Sequence, residues 1–238
     1  MRVLAIVQQR DAGPGVFAEA IRERGDELDQ WVLPEGDPPP ADPLGYDAVF
    51  TLGGAMNVDE ETAHPWLADE KALLRRLLEK DVPLLGLCLG SQLVAEAAGA
   101  APRRASRPEI GWHPVEVTPE GEADPLLASL APRFEAFQWH GYEFPLPPGA
   151  VALARSEVSL QACRIGERAW AIQFHPEVGR ADALAWIVDY RSDADAVRID
   201  IDPDALRTET EAKIDAFNQL GRELCHRWLD VAGRLTGS

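Results

Sequence analysis

The chain has 238 residues, 46% of them hydrophobic, and its 40 Asp and Glu against 23 Lys and Arg give a formal charge of −17. That length supports one large α/β domain or two small ones with a sizeable core, while the charge argues against a nucleic-acid backbone or an anionic membrane as partner. No run is long and apolar enough to span a bilayer, and the residues from Met1 to Val7 read as a first strand rather than a signal peptide.

Taken in order, Arg2 to Gln8 is a short, β-branched-rich run of the kind buried on both faces of a parallel sheet. A loop through Gly13-Pro14-Gly15 leads to a helix from Val16 to Arg24, stopped by Gly25. Leu28 to Leu33 is a second strand, Pro34 to Pro43 a Pro-rich surface loop, and Tyr46 to Leu52 a third strand ending at Gly53-Gly54. A helix from Trp66 to Lys80 carries a buried stripe of Leu67, Leu73, Leu74, Leu77 and Leu78. A strand beginning near Val82 then meets a helix from Ser91 to Ala98. Strands separated by helices predict a mostly parallel central sheet with helices on both faces, with chemistry at the carboxyl ends of the strands.

Beyond Gly99, short strands are expected over residues 110–118, 134–139, 150–155, 160–165 and 169–174, as antiparallel additions and the last strands of the sheet. Ala181 to Tyr190 reads as a helix, Arg191 to Pro203 as an Asp-rich linker, and Asp204 to Leu235 as a long amphipathic helix. Its apolar face is Ile214, Phe217, Leu220, Leu224, Trp228, Val231 and Leu235. Residues 1–190 therefore read as one domain, and 191–238 as a linker and a helix packed on it.

Two stretches carry chemistry. Gly86-Leu87-Cys88-Leu89-Gly90 is the thiol counterpart of a Gly-x-Ser-x-Gly nucleophile elbow. Small residues on both sides permit a tight strand-to-helix turn, and a helix N-terminus favours thiolate over thiol. The alternative is a buried structural cysteine between ordinary turn glycines. The three cysteines (Cys88, Cys163 and Cys225) have unrelated spacings, which fit neither a disulfide framework nor a metal site and suit a reducing cytoplasm. The other stretch is Gln173-Phe174-His175-Pro176-Glu177. In extended chain His175 and Glu177 project to one side, so the carboxylate can fix the imidazole tautomer and leave the other nitrogen as a base.

These motifs, with Gly53-Gly54-Ala55-Met56-Asn57-Val58, resemble those of the class I, triad-type glutamine amidotransferases, and most nearly the stand-alone proteins similar to the glutaminase domain of GMP synthetase. The resemblance covers residues 1–190 and implies a flavodoxin-like three-layer fold with a long C-terminal helix. It implies that Cys88 attacks the γ-amide of glutamine to give a thioester and ammonia, that His175 is the base and Glu177 its orienter, and that the N–H groups of Gly54 and Leu89 form the oxyanion hole. Gln92, Gly53, His140, Gly141, Tyr142 and Gln161 would line the substrate pocket. No cofactor and no metal is expected. The partners expected are glutamine or a γ-glutamyl small molecule, and an ammonia-accepting synthetase on a separate chain.

The family's usual Gly-Gly-Pro is Gly53-Gly54-Ala55 here, and its common His-Gly-Asp is His140-Gly141-Tyr142, followed by Glu143. The second departure opens the question of substrate. A glutaminase serving a synthetase therefore stands beside a stand-alone γ-glutamyl peptide or conjugate hydrolase. The reading from another class is a non-catalytic regulatory or binding subunit. Arg103-Arg104-x-x-Arg107 reads as a solvated basic loop that a partner could meet.

Overall fold

The computed structural model describes residues 1–234. Its strands are β1 (Arg2–Val7), β2 (Glu27–Val32), β3 (Ala48–Thr51), β4 (Leu84–Leu87), β5 (Arg103–Val117), β6 (Arg133–Glu143), β7 (Val151–Arg155), β8 (Leu160–Ile165) and β9 (Ala169–Ile172). Its α-helices are α1 (Gly15–Glu23), α2 (Trp66–Glu79), α3 (Leu89–Ala97), α4 (Pro119–Glu122), α5 (Arg180–Val188), α6 (Ala194–Arg198) and α7 (Pro203–Gly233).

The described strands form a single sheet in the order β2-β1-β3-β4-β9-β8-β7-β5-β6. The first five run parallel, and the rest pair antiparallel. Continuous apolar runs are what a parallel sheet covered on both faces requires, and β3, β4 and β9 are buried at every position. One face packs against α1, α5 and α7 through Phe17, Ile21, Ala183, Ile214, Phe217 and Trp228. The other packs against α2 and α3 through Leu67, Leu74, Leu77, Leu93 and Val94. The register aligns Ile6 with Thr51, Thr51 with Gly86, and Leu87 with Ile172. The residues that leave β1, β3, β4 and β9 therefore emerge at one edge of the sheet. They are Gln8, Leu52-Gly53-Gly54, Cys88 and Gln173-Phe174-His175.

The expected apolar face of the long helix lies in the core. Ile214, Phe217, Leu224 and Trp228 are buried, and Leu220 and Val231 are partly buried against them. Leu235 lies outside the described residues. Trp228 meets Phe50 edge-on at 5.8 Å. Burying each such side chain stabilises the fold by about 2 kcal/mol.

Two expectations need correction. Residues 191–203 are not a plain linker. The Asp193 side chain accepts from the N–H groups of Asp195 and Ala196 and starts α6, and the Asp202 side chain accepts from those of Asp204 and Ala205 and starts α7. These N-caps satisfy orphan amides, so local Asp content built helix starts rather than disorder. The basic stretch at Arg103–Arg107 is the first part of β5, with an irregular register against β6 between Arg104 and Glu109. Arg103 pairs with Glu143, Arg104 with Asp195 and Arg107 with Glu157.

Candidate active site

Strand β4 stops at Leu87 and α3 starts at Leu89, which leaves Cys88 alone in the turn at φ 51° and ψ −112°. Such a conformation costs a non-glycine residue about 1–3 kcal/mol and persists only where its surroundings impose it. They do so here. A Cβ on Gly86 would stand 2.5 Å from the Gly90 carbonyl oxygen, and one on Gly90 would overlap the Thr51 carbonyl. The Cys88 N–H donates to Ile172 O at 2.9 Å, and the Gly90 N–H to Leu52 O at 2.9 Å. Strand, helix and loop backbones are thus pressed together around one thiol, which opens onto a cleft with its Sγ 3.8 Å from the Trp139 carbonyl oxygen.

Beyond β9, His175 and Glu177 do project to one side, and Nδ1 of His175 lies 2.8 Å from Oε1 of Glu177. Both side chains are buried. His175 borders the same cleft as Cys88, and its Nε2 is buried with no hydrogen-bond partner among the described residues. Burial by itself would lower the imidazole pKa. Negative charge on Cys88 and Glu177 outweighs it, so the pKa is held well above the ordinary histidine value. The segment is clamped from behind. The Val16 N–H of α1 donates to Glu177 O at 2.8 Å, and Asn218 Nδ2 of α7 donates to Val178 O at 2.7 Å. Gly15 and Gly221 have no room for a Cβ against the Glu177 and Pro176 carbonyls. A lone glycine inside a helical pattern, as at Gly221, was the one sequence signal of this close approach.

Gly53 packs against the pair: a Cβ there would lie 3.0 Å from Cε1 of His175 and 3.4 Å from Cβ of Cys88. Gly54 and Leu89 both line the cleft. Gln9 Oε1 accepts from the Ala55 N–H at 2.6 Å and pins the Gly-Gly loop from outside. Beneath the loop lies a buried polar cluster that the sequence did not reveal. Glu70 Oε1 accepts from Gln8 Nε2 at 2.7 Å and from Thr51 Oγ1 at 2.5 Å. Burial pushes the Glu70 carboxyl up to about 7 against only partial relief from these donors.

The linkage is direct. Between pH 4.5 and about 7 the folded protein holds a proton that the unfolded chain has released, so stability falls as pH rises through that window and levels off above it. Glu70→Gln should abolish this component, on the order of 3 kcal/mol. Urea midpoints of wild type and variant, compared at pH 5 and pH 8, measure it. A constant difference between the two proteins would refute it.

The cleft has a volume of about 570 Å³, within the range of small-molecule sites. Gln92, His140, Gly141 and Tyr142 line it. Gln92 Nε2 donates to Tyr142 O at 3.3 Å, and His140 Nδ1 lies 2.9 Å from the same carbonyl. Tyr142 sits under Arg104, whose guanidinium carbon is 5.5 Å from the ring centroid. Gly53 is not among the wall residues but packs behind them against His175 and Cys88, and Gln161 is not a wall residue either. Gln161 is wholly buried, with Nε2 bound to Glu109 at 3.0 Å and Oε1 accepting from Gln138 at 2.7 Å. It belongs to a buried network that also brings Glu109 to 3.3 Å from Nε2 of His140. Trp139 lies in the Gln138-to-Gly141 stretch that the resemblance assigns to the pocket, and further wall residues come from segments the sequence did not single out. They include Trp186, Asp11, Asp189, Asp193 and Asp195. Among the described residues no group of three or more His, Cys, Asp or Glu side chains converges as a metal site would need. Cys163 and Cys225 are buried elsewhere, and burial pushes the Cys163 thiol up to about 12.

The chain is 33% identical to a glutamine amidotransferase of Thermotoga maritima of known structure, with a TM-score of 0.87 over 97% of this chain and 98% of that one. It is 28% identical to the glutamine amidotransferase-like protein YfeJ of Salmonella typhimurium over 74% of this chain and 76% of the relative. To a subunit of the glutamine-hydrolyzing GMP synthase of Natronomonas pharaonis it is 32% identical, over 69% and 82% of the two chains. The profile of class-I glutamine amidotransferases matches residues 17–183, from the first helix to past Glu177. With the elbow, the His175–Glu177 pair and four of the five parallel strands inside that span, the chain belongs to the class-I glutamine amidotransferase family.

Proposed function

We propose that the protein is a cysteine amidohydrolase that cleaves the γ-amide of a glutamyl substrate, free glutamine being the simplest. The observation that carries this reading is a thiol held at positive φ in one cleft with a buried imidazole whose far nitrogen is 2.8 Å from a carboxylate. In this reading Cys88 Sγ attacks the amide carbon while the N–H groups of Gly54 and Leu89 take up the developing oxyanion. Such donors are worth roughly 3–4 kcal/mol of barrier each. His175 Nε2 delivers the proton to the leaving nitrogen, then deprotonates the water that hydrolyses the thioester, while Glu177 keeps Nδ1 protonated throughout. Some relatives are named as one subunit of a GMP synthase. By that analogy, ammonia released in this way would pass to a synthetase on a separate chain.

A second reading, hydrolysis of an N-substituted γ-glutamyl amide, is favoured by the size of the cleft, which leaves space that an ammonia leaving group does not fill. One experiment covers both. The purified protein is incubated with glutamine and with γ-glutamyl peptides, and glutamate, ammonia and amine are quantified beside mass spectrometry of Cys88 after exposure to a glutamine-analogue electrophile. Glutamate release together with a Cys88 adduct is the expected result. Neither product release nor adduct would sink the proposal.

A further inference from the structure

The proton path fixes which end of the cleft receives the leaving group. His175 must hand its proton to the departing nitrogen, so that nitrogen faces Nε2, the buried and unpartnered atom that opens onto the cleft. Trp186 stands against His175, and Trp139 stands against Trp186. The Trp186 ring lies edge-on to the imidazole at 5.0 Å, and Trp139 lies 6.1 Å from Trp186. Both indoles are held by their N–H groups, Trp139 by Asp193 Oδ2 at 2.8 Å and Trp186 by Asp11 O at 3.0 Å.

Asp11, which holds Trp186 through its main-chain oxygen, Asp193, which holds Trp139 through its carboxylate, and Asp189 all line the cleft. Each makes polar contacts: Asp11 with Gln9, Asp189 with Ser192, and Asp193 with Trp139 and the first amides of α6. A carboxylate offers about four acceptor sites, so acceptor capacity remains. Negative charge also accumulates behind this end, where the Asp182 carboxyl is raised by burial first and then by Glu177 and Asp11. Arg104 is the one Lys or Arg among the described residues of the cleft wall, and both its terminal nitrogens are bound to Asp195. A glutamyl group is a zwitterion: its α-ammonium can pair with one carboxylate, but its net charge offsets none of the excess.

We propose that this end of the cleft is a leaving-group subsite for a cationic amine, so that the favoured substrate is a γ-glutamyl amide whose amine half carries a second, protonated amino group. The ammonium sits between the Trp139 and Trp186 rings and the carboxylates of Asp11, Asp189 and Asp193, where cation–π and ionic attraction act together. The proposal rests on γ-glutamyl hydrolysis through Cys88. The Sγ–C bond forms first to give the oxyanion; its collapse to the thioester breaks the C–N bond as His175 protonates the departing diamine, and water then converts the thioester to glutamate and free thiol.

The test compares four substrates at low ionic strength: glutamine and the N-γ-glutamyl conjugates of cadaverine, pentylamine and 5-aminovalerate. The three conjugates share a chain length and differ in the charge of the far end. The cadaverine conjugate should exceed the pentylamine conjugate by about tenfold in kcat/KM, and the 5-aminovalerate conjugate by about a hundredfold, with both ratios shrinking in high salt. Asp11→Asn combined with Asp189→Asn, both at exposed positions, should bring the cadaverine-to-pentylamine ratio towards one. Asp193 is spared because it caps α6. Equal rates on the charged and neutral conjugates, a preference untouched by the double variant, or cleavage of glutamine alone would each overturn the subsite while leaving Cys88 hydrolysis intact. No cleavage of any substrate and no adduct on Cys88 would overturn both.

Discussion

Cys88→Ala and His175→Ala are each expected to lower kcat/KM on the best γ-glutamyl substrate by about 10⁶, and the double variant to be no worse than either single one. The reason is that the two side chains act in one event: a thiol without its base and a base without its thiol are both idle. Glu177→Gln should cost less, about 10⁴, because the imidazole survives but loses the partner that fixes its tautomer. The pair lies 2.8 Å apart and buried, so no water stands ready to take over that role. Alanine at position 88 inherits the same positive φ as cysteine, so the variant should melt close to wild type. Steady-state kinetics with a parallel thermal melt separates lost chemistry from lost fold. A Cys88→Ala protein that keeps even a tenth of the activity would place the nucleophile elsewhere.

Gly90→Ala should be among the most damaging single methyl groups in the described structure. Its Cβ would overlap the Thr51 carbonyl oxygen and stand 2.6 Å from the Thr51 carbonyl carbon and 2.8 Å from Leu52 O. All three are backbone atoms, so no rotamer change relieves the clash. Either the end of β3 or the start of α3 must move, and those elements carry the Gly53-Gly54 loop and the thiol. A loss of about 3 kcal/mol or more is expected, with loss of electrophile labelling at Cys88. Gly149→Ala is the control. Nothing lies within 4 Å of a Cβ there, and only its φ of 76° resists substitution, for about 1 kcal/mol. Urea unfolding of the two variants side by side measures the difference. A Gly90→Ala protein as stable as Gly149→Ala would mean that the elbow is not packed as described.

Both of these sites were legible in the chain because their determinants are local. An elbow needs its small residues two positions either side of the nucleophile, and Gly86 and Gly90 are there. An extended segment turns residues two apart to the same side, and His175 and Glu177 are two apart. The alternation of apolar runs with helical stripes was enough for a mostly parallel, doubly covered sheet, because burial on both faces leaves its mark on every strand residue. Gln161 was misplaced for the complementary reason. Its strand was identified, but whether a side chain on β8 meets the cleft or the buried Glu109 network depends on how β5, β6 and β8 pack.

From sequence alone come the fold class, the family, and the Cys88, His175 and Glu177 trio on which the proposed chemistry rests. These depend on spacings of a few residues and on periodicities fixed by backbone geometry. Tertiary structure decided the rest. It set the Asp-rich stretch at 189–195, most of which reads as a linker, against Trp139 and Arg104 as a cleft wall. It brought α7 across the molecule so that Gly221 and Asn218 clamp the His175 segment, and it sank Glu70 beneath the Gly53-Gly54 loop. Each of these contacts joins residues tens of positions apart. A hydrophobic pattern says which face of an element is buried but not which partner buries it, so the machinery was written locally and the pocket that selects its substrate was not.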